Sequence, residues 1–240
     1  MPMSGQLVLP LGLNEVRTLE NYVPGPNGEA AARIRALCEA DGPSGETGLF
    51  LWGAPATGRS HLLQALCHGR AARGDAVMYA PLEEMKAMGP EALDGCEALD
   101  WVCLDDVDAV CGAPEWERAL FRLFNGLRAR GRSPVMTAAS SPRHLPCGLP
   151  DLQSRLAWGV VLRLRPLSEA ECIDALCLRA RARGMGLDGD TAGYLLRRWR
   201  RDPKALFALL EHLDTASLQA QRRLTKAFVR EVIKSLDGPS

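Results

Sequence analysis

Five apolar runs of strand length recur along the first two thirds of the chain: Gly48-Leu49-Phe50-Leu51-Trp52, Ala76-Val77-Met78-Tyr79-Ala80-Pro81, Trp101-Val102-Cys103-Leu104, Pro134-Val135-Met136-Thr137-Ala138-Ala139 and Val160-Val161-Leu162-Arg163-Leu164. Near-continuous runs of this kind suit parallel strands covered on both faces. Between them apolar residues fall at helical spacing. Residues 29–40 place Ala32, Ile34, Leu37 and Cys38 among charges, and residues 60–66 follow the first strand. Residues 114–131 carry a stripe of Trp116, Leu120, Leu123, Phe124 and Leu127 that Gly131 stops, and residues 149–156 form another short helix. A helix is also expected over residues 90–98, with Pro90 in its first turn. Strands and helices that alternate in this way predict a five-stranded parallel sheet with helices on both faces, an α/β fold.

From Pro166 the strand pattern ends. Ser168-Glu169-Ala170-Glu171 is a capping box that opens a helix to Arg183, with Gly184 and Gly186 beyond it. Further helices are expected from Asp190, from near Asp202-Pro203, and over residues 225–235. Residues 15–166 therefore form the α/β domain and residues 167–240 a small all-helical second domain, after an N-terminal segment, residues 1–14.

Composition narrows the class. The 240 residues suffice for one large domain and a small one, and 29 basic residues balance 29 acidic ones. That balance argues against a dedicated nucleic-acid surface, although Arg179, Arg181, Arg183, Arg197, Arg198, Arg200 and Arg201 crowd the helical part. Such a cluster is either a solvated face or a contact for an acidic partner. The eight cysteines include no CxxC pair, so reduced core thiols are expected, without structural disulfides or zinc. With no signal peptide or long apolar segment, the expected location is the cytoplasm.

The candidate chemistry centres on Gly53-Ala54-Pro55-Ala56-Thr57-Gly58-Arg59-Ser60, which joins the first strand to a helix. Such a loop turns backbone N–H groups towards a di- or triphosphate, the helix N-terminus adds partial positive charge, and the Ser60 hydroxyl is placed for Mg²⁺. Arg59 departs from the usual lysine: it is a planar fork rather than a compact ammonium. The bland reading is a glycine-rich turn. Some 45 residues on, the third strand ends in Asp105-Asp106, at the sheet edge where α/β ligands bind. Asp105 would hold the Mg²⁺ shell and Asp106 would orient or activate a water. At the N-terminus, Gln6-Leu7-Val8-Leu9-Pro10-Leu11 is either a first strand on the core or a short linear motif whose leucines anchor in a partner's groove.

Taken together, a phosphate-loop αβα core and a four-helix lid resemble an AAA+ protein. The Gln6–Leu11 hexamer, the segment from Tyr22 to Asn27, Trp52 to His61 with its Arg-Ser-His, Leu149-Pro150-Asp151-Leu152-Gln153-Ser154-Arg155-Leu156 and the Arg-rich lid are similar to the Hda family of DnaA-related proteins, over nearly the whole chain. That family comprises regulatory inactivators of the bacterial replication initiator DnaA. The resemblance implies that Gln6, Leu7, Leu9, Pro10 and Leu11 dock on the DNA polymerase III β sliding clamp, and that Arg155 is an arginine finger acting in trans on ATP held by DnaA. It implies ADP, or ATP, with Gly53, Thr57, Gly58, Arg59, Ser60 and His61 at the phosphates, Tyr22 and Val23 near the base, and Lys204 closing from the lid. Lys204 stands where a sensor arginine is usual, and Ala139 falls at the polar sensor after the fourth strand, leaving Thr137 or Ser140 to substitute. Both departures weaken the case for self-hydrolysis, and DNA would be met through the clamp and DnaA. The competing expectations are an autonomous ATPase of the helicase-loader type, and a scaffold whose nucleotide site has decayed.

Overall fold

The computed structural model describes residues 17–42, 48–198, 203–220 and 224–236. The hexamer Gln6 to Leu11 lies outside them, as does the Lys204 side chain. Two compact units divide the chain: residues up to 19 with 26–165, and residues 20–25 with 166 onward.

The first unit is built on five parallel strands, β1 (Leu49–Trp52), β2 (Val77–Pro81), β3 (Trp101–Asp105), β4 (Val135–Ala138) and β5 (Val160–Arg163), in the spatial order β2-β3-β4-β1-β5. β2, β3 and β4 are buried along their whole length, which is why they read as unbroken apolar runs. β5, at the edge, alternates half-buried and exposed positions. The sheet is covered by α1 (Gly28–Glu39), α2 (Arg59–Ala71), α4 (Pro114–Ala129) and α5 (Pro150–Leu156). The α4 stripe of Trp116, Leu120, Leu123, Phe124 and Leu127 is buried in the same core as Phe50, Leu104 and Met136.

One expected helix is absent as such. Between β2 and β3 the chain makes one α-helical turn, α3 (Leu82–Met85), and then three separate 3₁₀ turns, Lys86–Met88, Pro90–Leu93 and Cys96–Ala98. Gly89 at φ 89° and Gly95 at φ 81° break it, because the left-handed region these glycines occupy cannot continue a right-handed helix.

Arg70 on α2 ties this unit together. It is 2% exposed, donates to the carbonyls of Leu37, Cys38 and Ala40 at 3.4, 3.2 and 2.7 Å, and pairs with Asp75 at 2.5 Å. Its guanidinium also lies 4.7 Å from the Trp101 ring centroid. One side chain thus satisfies the last carbonyls of α1 and stacks on β3.

The second unit is helical: α6 (Glu169–Ala182), α7 (Gly189–Arg198), α8 (Pro203–Ala220) and α9 (Lys226–Leu236). The predicted capping box is present, with Ser168 Oγ accepting the Glu171 amide and the Glu171 carboxylate accepting the Ser168 amide. Leu176, Leu195, Leu210, Leu213, Phe228 and Val229 fill its core. Among the described residues no helix is long and apolar enough to cross a membrane.

Replacing Arg70 by methionine keeps an apolar stem but orphans three carbonyls and Asp75. Chemical denaturation is expected to show a loss of about 3 kcal/mol or more, the usual consequence of breaking a buried charge pair.

Candidate functional site

The strand order places the ends of β3, β4 and β1 side by side, since β3 pairs with β4 and β4 with β1 (Trp52 opposite Ala138). The glycine loop leaves β1 at this edge. The Gly53 amide donates to the Ala138 carbonyl at 3.2 Å, and a Cβ on Gly53 would meet the Leu164 carbonyl oxygen at 2.6 Å, so glycine is required there. Gly58, at φ 94°, turns the loop into α2 and has no side chain with which to cap it. Thr57 is buried and its hydroxyl donates to the Ala54 carbonyl at 2.9 Å, bracing the loop from within. His61 Nε2 meets the Thr18 carbonyl at 2.8 Å, so this residue anchors the segment ahead of α1.

Arg59 reaches across to the acidic strand end. Its Nη2 lies 3.1 Å from Asp106 Oδ1, with the side chain 11% exposed, and its Nη1 is buried without a hydrogen-bond partner among the described residues. A buried, unsatisfied guanidinium N–H beside the free amides of an uncapped helix N-terminus fits an anionic phosphate. The metal side is built differently. Asp105 is 2% exposed, and both of its oxygens are taken by hydroxyls: Tyr79 donates to Oδ2 at 2.6 Å and Thr137 donates to Oδ1. Among the described residues no group of three or more His, Cys, Asp or Glu side chains is arranged to hold a metal. Ser60 lies half-buried at the second position of α2.

Asp106 adopts the left-handed conformation, φ 53° and ψ 54°, which aspartate tolerates better than most residues. Its amide donates to Thr137 Oγ1 at 3.0 Å. Thr137 therefore holds both acids at once. At the expected sensor position, the Ala139 amide donates to Asp108 Oδ1 at 3.0 Å, so that position contributes backbone rather than a polar side chain. Sequence marks neither Tyr79 nor Thr137 as a partner of the acidic pair, since both lie inside buried strands, and it does not mark Asp108 as the acceptor of the Ala139 amide. Tyr22 and Val23 belong to residues 20–25, in the unit that contains the helical lid.

Arg155 lies elsewhere on the first unit, in the last turn of α5. It is half-buried and lines a groove of about 520 Å³ with Phe121, Arg128, Asp151, Ser154, Ala157 and Trp158. Arg128 spends its charge on the Trp158 ring at 4.3 Å. The Arg155 guanidinium has no ion pair or hydrogen bond among the described residues.

Residues 13–163 match the family described as bacterial DnaA ATPase domain, and residues 169–233 match the Hda lid domain. Domain III of the Thermotoga maritima replication initiation protein DnaA superposes with a TM-score of 0.75 at 21% identity, covering 95% of this chain and 99% of that one. AMPPCP-bound DnaA from Aquifex aeolicus gives 0.62 at 24% identity over 77% and 61% of the two chains. A RuvB Holliday junction branch migration motor from Thermotoga maritima gives 0.56 at 14% identity over 87% and 69%. At these identities the structural likeness carries the fold alone.

Burial, then the charge of Asp105 and the hydrogen bond to it, push the Tyr79 phenol far above its ordinary 10.0. A group whose folded value is raised contributes stability below its unfolded value and loses it as pH climbs beyond. Tyr79→Phe is therefore expected to cost about 1–3 kcal/mol at about pH 8 and to lose less additional stability than the parent above about pH 10, as read by urea unfolding across that range.

Proposed function

Because the chain belongs to the bacterial DnaA ATPase-domain family and ends in a lid of the Hda type, we propose that it is a regulatory inactivator of the initiator DnaA. In this reading it sits on the DNA-loaded sliding clamp through Gln6, Leu7, Leu9, Pro10 and Leu11 and presents Arg155 to ATP held by DnaA. Hydrolysis of that ATP leaves DnaA unable to start another round of replication. The observation that carries the reading is the unspent guanidinium of Arg155 in an open groove. A half-buried guanidinium with no ion pair among the described residues is poised for charge supplied from outside. A guanidinium placed against a transferring phosphoryl group neutralises the charge that develops there and is worth roughly 10³–10⁵ in rate in the best-known nucleotide hydrolases.

The chain's own loop then serves as a binding switch rather than an engine. Bound ADP or ATP would supply the polyphosphate that Arg59 Nη1 and the first amides of α2 fit, with His61 bracing the loop, Tyr22 and Val23 at the base and Lys204 closing over the nucleotide. Magnesium, where present, would take Ser60 and Asp105. Two features speak against turnover by the chain itself. Asp106, the residue suited to activating a water, is held by Arg59, and Ala139 offers no polar side chain. An autonomous ATPase of the helicase-loader type would need both roles filled.

In single-turnover hydrolysis of ATP preloaded on DnaA, with the clamp on DNA, the parent protein is expected to accelerate the reaction. Arg155→Ala should lower that acceleration on the order of 10³-fold while the clamp complex persists. Full acceleration by Arg155→Ala would remove the mechanism.

A separate measurement concerns the N-terminus. The double substitution Gln6→Ala and Leu9→Ala should abolish clamp binding in a pull-down or by surface plasmon resonance while leaving ADP-induced thermal stabilisation unchanged. A full-strength clamp complex would make the hexamer part of the fold instead.

A further inference from the structure

We propose that Glu117 is the positioning residue for Arg155, holding the start of the arginine's helix against the loop that leaves the acidic strand end. The proposal rests on the reading of Arg155 given above. Glu117 lies in the first turn of α4 and is 3% exposed, yet among the described residues no lysine or arginine pairs with it. Its carboxylate is satisfied by backbone alone. Oε1 accepts the amides of Gly112 at 2.7 Å and Gly148 at 2.9 Å, and Oε2 accepts the amide of Leu149 at 2.8 Å.

Those three amides come from two separate segments. Gly112 closes the turn that runs on from Asp106 and Asp108, whereas Gly148 and Leu149 are the last residues before α5. Leu149 is the N-cap of α5 and supplies no side-chain cap, and Glu117 takes the N-cap's own amide from outside, as the third-residue glutamate of a capping box does from within. α5 spans only seven residues and carries Arg155 in its last turn. A helix that short takes its direction from where it is pinned. A shift at Leu149 is carried rigidly to Arg155, and a misplacement of about 1 Å at a group that contacts reacting atoms costs on the order of 10²-fold in rate. An independent contact marks the same junction. Cys111 and Cys147, each immediately before a bridged glycine, bring their sulfurs to 3.2 Å.

The thiol pair makes the proposal testable by restoration. Glu117→Gln keeps the shape but turns one acceptor into a donor facing amide donors. It should lower the maximal rate of DnaA-bound ATP hydrolysis on the order of 10²-fold, while the protein concentration giving half that rate moves by less than about twofold. Hydrogen exchange at the Gly148 and Leu149 amides should quicken in the same variant. Treatment with an azo oxidant, which takes both thiol hydrogens and is itself reduced to a hydrazine, should join Cys111 to Cys147, as peptide mapping would verify, and restore the rate. Glu117→Asp, which keeps the charge but withdraws it by one methylene, gives the same split of rate from binding if the amide variant fails to fold. A full maximal rate in either folded variant would overturn the proposal, and so would a loss that the disulfide does not restore. Arg155→Ala measured alongside separates the two failures. If it keeps full activity, the arginine reading falls; if it loses activity while Glu117→Gln keeps it, only the positioning role falls.

Discussion

At the carboxyl edge of the sheet the fully buried Thr137 hydroxyl donates to Asp105 and accepts the Asp106 amide at 3.0 Å, and the nearby charges take their places from that residue. Thr137 engages one oxygen of Asp105 and Tyr79 the other. With its amide drawn to Thr137, Asp106 turns into the left-handed region and its carboxylate faces Arg59. The geometry is possible only because β3 and β4 are hydrogen-bonded neighbours in a parallel sheet, which brings residues 31 and 32 positions apart to the same edge.

Arginine in place of lysine in the phosphate loop matters in this setting. A lysine ammonium is a point charge that swings to whatever anion is present, whereas a guanidinium is a fork with several directed donors. Here one tine is committed to Asp106 and another is buried without a partner. The loop thus keeps a directed donor for an anion while the Asp106 carboxylate is paired.

The same economy of charge runs through the unit. Arg70 closes α1 on carbonyls and pairs with Asp75; Glu117 closes the approach to α5 on amides; Arg128 lies against an indole. Each of these three buried or half-buried charges has found a partner, as burial demands. Arg155 stands out because its charge is left open to the groove.

The five strands, the helices that flank them, the capping box at Ser168 and the phosphate loop could all be read along the chain. Each is a local pattern: a buried parallel strand must be apolar along its length, and a capping box must present its two residues three apart. The stretch between β2 and β3 was misread for a local reason as well, since residues 90–98 have helical composition but Gly89 and Gly95 take conformations that composition does not reveal. The candidate residues of the loop, Asp105, Asp106 and Arg155 were visible as motifs. Their partners were not. Tyr79 and Glu117 carry no motif, Thr137 was marked only as a substitute sensor, and their partners across the fold lie 26 to 32 positions away. Sequence by itself determined which segments become strands, helices and phosphate loop, because periodicity and turn chemistry act over a few residues. Only the tertiary structure decided which acid is held by hydroxyls, which is held by Arg59, and that Arg155 lines a groove without an ion pair among the described residues, because hydrogen bonds between side chains are settled by which strands and loops come to lie side by side.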